Sequence, residues 1–296
     1  MPSKPSEFEE KEFEAPLYNQ LECGLPNVWA PGQVFEEYLG IDRAAFLAEP
    51  RLWRLFGAAR PPLGVFMHRM EWEFIWRHRR RRPMPNFRLN LFLQAKRSHY
   101  YRRRPNHIRA LMPSGPCWRF DIEADQQHAL ERVAVRVGDR AVVAYAAPVF
   151  YRVSELYAHT SRGTIAANST FPRVESLRNH SSWYYRTPGA SGVANADPEQ
   201  IENPGLLQFL QSIRVDQMPD ASGTASEHLG QLTRLIESAL EKDVPDENPR
   251  KAIYAELVRQ IEPIMKAYDE SGESSRSFMR VAAFAIAFNL DWYAVG

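Results

Sequence analysis

A stretch of strict alternation in the middle of the chain is the strongest constraint on its fold. Apolar and polar residues alternate in the central part of residues 86–101, NFRLNLFLQAKRSHYY. Side chains of a β-strand point alternately to its two faces. One face would carry Leu89, Leu91, Leu93 and Ala95. The other would carry Asn90, Phe92, Gln94 and Lys96. The pattern predicts a strand whose apolar face points to the core, while a lysine and an amide reach the opposite face.

The remaining segments predict helices and strands in an order typical of an α+β protein. Helical periodicity occurs in residues 31–42 and 125–137, and residues 61–78 alternate like a strand. The apolar run 141–150 predicts a buried strand after the helix stop at Gly138. Four further helices are predicted over residues 203–214, 225–242, 249–268 and 274–293. We therefore expect one α+β domain over residues 1–202 and an all-helical domain over residues 203–296.

Charge is distributed very unevenly along the chain. Residues 64–112 contain 13 Lys or Arg against 2 acids, whereas residues 190–296 contain 9 against 17. A polyanion would be attracted to the first region and repelled by the second. Arginine runs on both sides of the predicted strand fit a phosphate-binding rim, although such runs are also typical of solvated loops. The arginines expected to contact nucleic acid are Arg79, Arg80, Arg81, Arg82, Arg97, Arg102, Arg103 and Arg104.

Several classes of protein are not indicated by this sequence. Its two cysteines, Cys23 and Cys117, lie far apart, which favours a reducing compartment over a disulfide framework. No apolar run reaches the roughly 20 residues of a membrane helix, and the acidic start is unlike a signal peptide. Motifs typical of P-loop ATPases, dinucleotide-binding dehydrogenases, zincins and α/β-hydrolases do not occur. We expect a cytoplasmic protein without a membrane partner.

The strand motif Gln94-x-Lys96-Arg97 resembles the Mrr-type branch of the PD-(D/E)xK nuclease superfamily, in which glutamine replaces the second acid. That family's core of helix, three strands, helix and strand can be laid on residues 31–150 with one strand unassigned. The resemblance covers roughly residues 10–160. It implies a restriction-endonuclease-like mixed sheet flanked by helices. It also implies a metal-dependent DNA endonuclease that is one component of a restriction or anti-phage defence system.

The resemblance also implies a set of site residues. Glu36 lies in a G-x-x-F-E context on the upstream predicted helix, similar to the helix-borne glutamate of the family. Glu36, Gln94 and a hairpin residue, either Glu73 or Asn90, would hold Mg²⁺ or Mn²⁺, which favour oxygen ligands. Lys96 would help to activate the water that attacks a backbone phosphate. Lys96, Gln94 and Glu36 are thus the predicted catalytic residues.

One departure from the family pattern leaves a second function open. The family places an acid shortly before its Q-x-K motif, but this chain has no aspartate between Asp42 and Asp121. Glu71 or Glu73 would substitute for it, or Asn90 would take its place as a weaker, neutral ligand. In the latter case the domain would be a degenerate nuclease acting as a nucleic-acid-binding or protein-binding adaptor.

Two further alternatives and the binding partner of the C-terminal region stay open at this point. Gln94 and Lys96 also fit the solvated face of an antiparallel strand. RNA carries the same phosphates as DNA, so the same residues would suit an RNA substrate. The acidic helical region is expected to bind a protein partner or to form a homo-oligomer.

Overall fold

The computed structural model describes residues 3–24, 28–29, 87, 89–189, 191–202, 205–212, 224–267 and 272–295. Within these residues the chain forms two β-sheets and seven α-helices. The α+β class predicted from the sequence is confirmed. No helix of the described ranges combines the length and apolar character needed to cross a membrane.

Seven helices and eleven strands are numbered here in chain order within the described residues. The helices are α1 Glu10–Gly24, α2 Ala124–Val137, α3 Val153–Arg162, α4 Leu206–Ser212, α5 Ala225–Lys242, α6 Pro249–Ala267 and α7 Gly272–Ala287. The first six strands are β1 Lys4–Pro5, β2 Val28–Trp29, β3 Leu89–Ala95, β4 His99–Tyr101, β5 Cys117–Asp121 and β6 Ala141–Pro148. The remaining strands are β7 Ser169–Thr170, β8 Ser182–Tyr185, β9 Ser191–Asn195, β10 Glu199–Glu202 and β11 Asp291–Val295. Helix α5 has the predicted bounds, and α2 and β6 confirm the predicted helix and buried strand. The predicted helix at residues 31–42 and the predicted strand at 61–78 lie outside the described residues.

The strand predicted from the alternating pattern is the middle of a five-stranded sheet, in the order β2-β11-β3-β6-β7. Strand β3 runs parallel to β6, with Gln94 opposite Tyr145, and α2 lies in the connection between the two strands. On its other side β3 pairs with β11 in antiparallel register. A parallel pair needs a long crossover connection, and here that connection includes a helix that covers one face of the sheet.

Both faces of β3 are buried, which overturns the alternative of a solvated strand face. Its apolar face, which includes Leu91 and Leu93, shares a core with Phe13 and Leu17 of α1. On the opposite face, the ring of Phe92 packs edge-on against a phenylalanine of α7, with ring centroids 5.4 Å apart. All seven residues of β3 are buried, because helices cover both sides of the sheet.

A second, six-stranded antiparallel sheet has the order β1-β4-β5-β8-β9-β10. The single strand predicted over residues 86–101 is therefore divided, because β3 and β4 belong to different sheets. The chain changes sheets at Ser98, whose buried hydroxyl contacts Ser6 and donates to the carbonyl of Phe150. These contacts hold the N-terminal segment and β6 against the junction.

The C-terminal region is not all helical. The helix predicted over residues 274–293 ends at Ala287, and Asn289 adopts a positive φ of 52° before β11 begins. Buried residues of α5, α6, α7 and β11 belong to the same hydrophobic core as α2 and Phe92, which lies on the face of β3 that also carries Asn90 and Gln94. The region predicted as a separate helical domain thus shares a sheet and a hydrophobic core with the first part of the chain.

Candidate strand-end site and arginine pocket

Lys96 lies at the end of β3, directly after its last residue. Its backbone N–H donates to the carbonyl of Ala146 over 2.8 Å, which extends the pairing with β6. Its ammonium lies 5.4 Å from the centre of the Tyr145 ring, within cation–π distance. No carboxylate of the described residues forms an ion pair with Lys96. Within the described residues, the Lys96 ammonium is thus left without a carboxylate partner.

Charges around Lys96 act on its pKa in opposite directions. Burial lowers the pKa of Lys96 and is the largest effect, because it disfavours the charged form. Glu10 and Glu123 raise it, whereas the nearby Arg250 lowers it further. Part of the influence of Glu123 is already balanced by Arg250, whose guanidinium lies 3.5 Å from that carboxylate. The net effect is a lowered pKa, so the Lys96 ammonium gives up its proton more readily than a lysine in water does.

Glu10, at the first position of α1, is the acid with the strongest effect on Lys96. Burial raises the pKa of Glu10, while Lys96 and a backbone hydrogen bond from Arg97 act against that rise. Sequence reasoning did not identify this residue and placed the helix-borne glutamate at Glu36, which lies outside the described residues. A usable signal existed, because Phe13, Leu17 and Leu21 repeat at helical spacing directly after Glu10.

Gln94 lies two residues before Lys96 on the same strand face and is buried. Its Nε2 donates to Oε1 of Gln126 over 2.9 Å, and Gln126 in turn donates to the carbonyl of Phe288. This chain fixes the orientation of the Gln94 amide. The Oε1 atom of Gln94 is also buried but has no hydrogen-bond partner. An unpaired buried oxygen is costly, typically by about 1–3 kcal/mol, so a cation or a water beside it would be stabilising.

A second chain of hydrogen bonds holds the ring that faces Lys96. The hydroxyl of Tyr145 donates to Oε1 of Gln127 over 2.6 Å. The Nε2 of Gln127 donates to Glu131 and to the carbonyl of Val174, each over 2.7 Å. These bonds join α2 to β6 and fix the position of the ring. Gln126 and Gln127, which the sequence places at the start of a helix, thus both support the end of β3.

Asn90, predicted as a possible metal ligand, is fully buried in a hydrogen-bonded cluster. Its Oδ1 accepts from the indole of Trp292 over 2.9 Å. Its Nδ2 lies 3.0 Å from Nε2 of His228 and donates to the carbonyl of Arg140 over 3.2 Å. These contacts join β3 to β11 and α5. The arrangement gives Asn90 a structural role, because its one oxygen is already bound by the indole.

The described oxygen donors near the end of β3 are of a type that binds hard cations, but they are too few to form a metal site by themselves. Within the described ranges, no group of three or more His, Cys, Asp or Glu side chains could hold a metal ion. The carboxylate of Glu10 and the unpaired Oε1 of Gln94 are oxygen donors of the kind that Mg²⁺ and Mn²⁺ prefer. The other predicted ligands, Glu36 and Glu73, lie outside the described residues.

A separate cavity of about 720 Å³ contains most of the described arginines predicted to bind nucleic acid. It is lined by Arg102, Arg103, Arg104, Asn106, Arg109, Ser114 and Gly115, with no acidic residue among them. We call it the arginine pocket. Sequence reasoning omitted Arg109, which follows a short 3-10 turn that returns the chain toward the arginine run. No Asp or Glu occurs between residues 74 and 120, so the positive charge here is not neutralised locally.

The other predicted arginines do not line this pocket or are not described. Arg97 makes an ion pair with Glu9, with 3.0 Å between Nη1 and the carboxylate, and donates to the carbonyl of Ser6. Its guanidinium thereby holds the N-terminal segment beside β4. Arg79, Arg80, Arg81 and Arg82 lie outside the described residues.

Comparison with known proteins assigns neither a family nor a function to this chain. No protein-family model, curated protein or solved structure matches this chain. Function therefore has to be inferred from the strand-end residues and the arginine pocket.

Proposed function

We propose that this protein is a metal-dependent endonuclease that hydrolyses DNA phosphodiester bonds at the end of β3. The observation that carries the proposal is the ammonium of Lys96 at the end of β3, which has no ion pair among the described residues and lies 5.4 Å from the centre of the Tyr145 ring. The carboxylate of Glu10 is near enough to raise the pKa of Lys96. The parallel pair β3 and β6, joined through α2, is also compatible with the restriction-endonuclease-like core implied by the sequence motif. A role in restriction or anti-phage defence is part of this proposal.

Each strand-end residue has a defined role in the proposed reaction. Lys96 would bind a non-bridging phosphate oxygen and stabilise the negative charge that develops during attack by water. Burial raises the pKa of Glu10, which makes this carboxylate a better proton acceptor. Glu10 would accept a proton from the attacking water or contribute to cation binding. Oε1 of Gln94 would hold Mg²⁺ or Mn²⁺ together with Glu36 or Glu73, the ligands that the sequence motif implies. The cation would supply charge stabilisation and a more acidic water.

The arginine pocket would position the nucleic acid for this reaction. Arg102 follows Lys96 by six residues, so their Cα atoms are at most about 22 Å apart. Phosphates of one B-DNA strand advance by about 3.4 Å along the helix axis. A strand that ran from the pocket toward Lys96 would cover this distance in at most about six nucleotides. Contacts of this kind give affinity and position but no sequence specificity.

Plasmid cleavage tests the proposal directly. Purified protein is incubated with supercoiled plasmid in Mg²⁺, Mn²⁺ or EDTA, beside the variants Lys96→Met and Glu10→Gln. Glu10→Gln keeps the shape of the side chain, Lys96→Met keeps most of its length, and each change removes the proposed chemistry. We expect metal-dependent nicking that each variant slows by about 100-fold or more. Lys242→Met and Glu241→Gln, at exposed positions of α5, serve as matched controls and should cleave normally. Nicking that persists in EDTA, or in Lys96→Met, would contradict the proposed site.

A nucleic-acid-binding or protein-binding adaptor is the second candidate, and the polar face of β3 favours it. Asn90 is engaged in the core, and one end of the Gln94 amide is fixed by Gln126. A protein that never cleaves, but binds DNA in a salt-sensitive manner, would support the adaptor. In either case we propose that the acidic surface of the C-terminal helices binds a protein partner or a second copy of the chain.

A further inference from the structure

One loop lines two neighbouring cavities on the six-stranded sheet. Residues 114 and 115 line the arginine pocket, while residues 111–113 line a second cavity of about 400 Å³. The second cavity is walled mainly by apolar atoms and is completed by residues of β9, of β10 and of the segment before β9. Its lining includes Leu111, Met112, Pro113, Thr187, Val193 and Gln200. We call it the apolar cavity.

Arg186 connects the two cavities. It lines the apolar cavity, and its Nε donates to the carbonyl of Pro116 over 3.1 Å. Its guanidinium also lies against Gly115 of the arginine pocket, where an added Cβ would be 2.8 Å from Nη2. Gly115 has a φ of 125°, a conformation that residues with side chains rarely adopt. The glycine thus permits both the turn of the loop and the close approach of Arg186.

The arginine pocket contains donors suited to a phosphate group. Nη1 of Arg104 donates to the hydroxyl of Ser114 over 2.5 Å, and its backbone N–H donates to the carbonyl of Gly115. Its Nε is buried and has no hydrogen-bond partner. Arg102, Arg103 and Arg109 form no ion pair with any carboxylate of the described residues. A bound phosphate would neutralise several guanidinium groups at once, through the paired bonds that arginine forms with phosphates.

We propose that the two cavities form a single nucleotide-binding site. The phosphate of the nucleotide would lie in the arginine pocket and its base in the apolar cavity. A volume near 400 Å³ falls in the range of small-molecule sites, about 300–1,000 Å³, and Thr187 and Gln200 would offer hydrogen bonds to the edge of a base. The ligand is either the phosphorylated end of a nucleic-acid strand or a free nucleotide. The choice of a nucleotide as the ligand rests on the proposed function, whereas the shape and charge of the site do not.

Binding, rather than cleavage, tests the inference. Fluorescence anisotropy compares internally labelled single-stranded oligonucleotides with a phosphate at the 5′ end, at the 3′ end or at neither. Nucleoside monophosphates and inorganic phosphate serve as competitors. We expect at least about tenfold tighter binding of one phosphorylated form, or competition by a nucleoside monophosphate at about tenfold lower concentration than inorganic phosphate.

The variants separate this site from the strand-end site. Arg103 and Arg109 are exposed, so the double variant Arg103→Ala/Arg109→Ala should fold normally and lose the phosphate preference. The double variant Arg132→Ala/Arg162→Ala, at exposed positions of α2 and α3, controls for the loss of two positive charges. Lys96→Met should retain the preference whether or not it cleaves.

Each outcome has a defined meaning. A preference for one phosphorylated end identifies a strand end as the ligand. Competition by mononucleotides without an end preference identifies a free nucleotide. Equal affinity for all three oligonucleotides, with no advantage of a mononucleotide over inorganic phosphate, would overturn the inference. That result would leave general contact with nucleic acid, and the proposed nuclease, intact.

Discussion

The carboxyl group of Asp291 is expected to make the stability of this protein depend on pH. Asp291 begins β11 and lies beside Glu14 and Tyr18 of α1. Burial is the largest effect on its pKa, which burial and Glu14 together raise from 3.8 to about 7. Between pH 3.8 and about pH 7, the carboxyl group keeps its proton in the folded protein and loses it in the unfolded chain. The stabilisation is therefore complete below pH 3.8 and is lost as the pH rises through about 7.

The size of the effect follows from the same change in pKa. A rise from 3.8 to about 7 corresponds to about 4 kcal/mol as an upper limit. Asp291 is partly exposed, and solvent screening weakens the effect of its neighbours, so we expect roughly half of this limit. Asp291→Asn keeps the shape of the side chain and cannot ionise. Its stability relative to the parent should increase by roughly 1–3 kcal/mol between pH 5 and pH 8.

Urea unfolding at pH 5, 6.5 and 8 measures this difference, provided that the m value is the same for both proteins. Asp246→Asn is the matched control, because the side chain of Asp246 is 92% exposed and its pKa is lowered by Lys251. That variant should not become more stable as the pH rises. A difference between Asp291→Asn and its parent that stays constant from pH 5 to pH 8 would refute the reasoning.

Two further predictions concern the core and the arginine pocket. Asn90→Ala removes the hydrogen bonds that join β3 to β11 and α5 and leaves the buried indole N–H of Trp292 unpaired. It should lower the free energy of unfolding by about 2–4 kcal/mol, measured by urea denaturation, whereas a loss below about 1 kcal/mol would contradict this structural role. Arg103→Ala should weaken DNA binding and reduce the slope of log K against log salt by about one, measured by titration at several salt concentrations. An unchanged slope would show that Arg103 does not contact phosphate.

Local patterns in the sequence were sufficient to predict several elements. The alternation of residues 89–95 predicted β3, and helical periodicity predicted α2 and α5, because these patterns depend on the side-chain geometry of single elements. The same alternation identified Gln94 and Lys96 as neighbours on one face. Clustering of arginines and the lack of acids were also visible in the sequence, and they predicted three of the four arginines of the pocket.

Contacts between distant segments were decided by the tertiary structure. Alternation could not show that helices cover both faces of β3, since burial depends on what packs against the strand. Pairing of β11 with β3 depends on hydrogen bonds between segments about 200 residues apart. The sequence pattern alone predicted one helix that continued through residue 293. Glu10 acts on Lys96 only because α1 packs against the end of the sheet. Sequence periodicity thus determined the elements, whereas the packing of the sheet and helices decided which polar groups meet and how deeply they are buried.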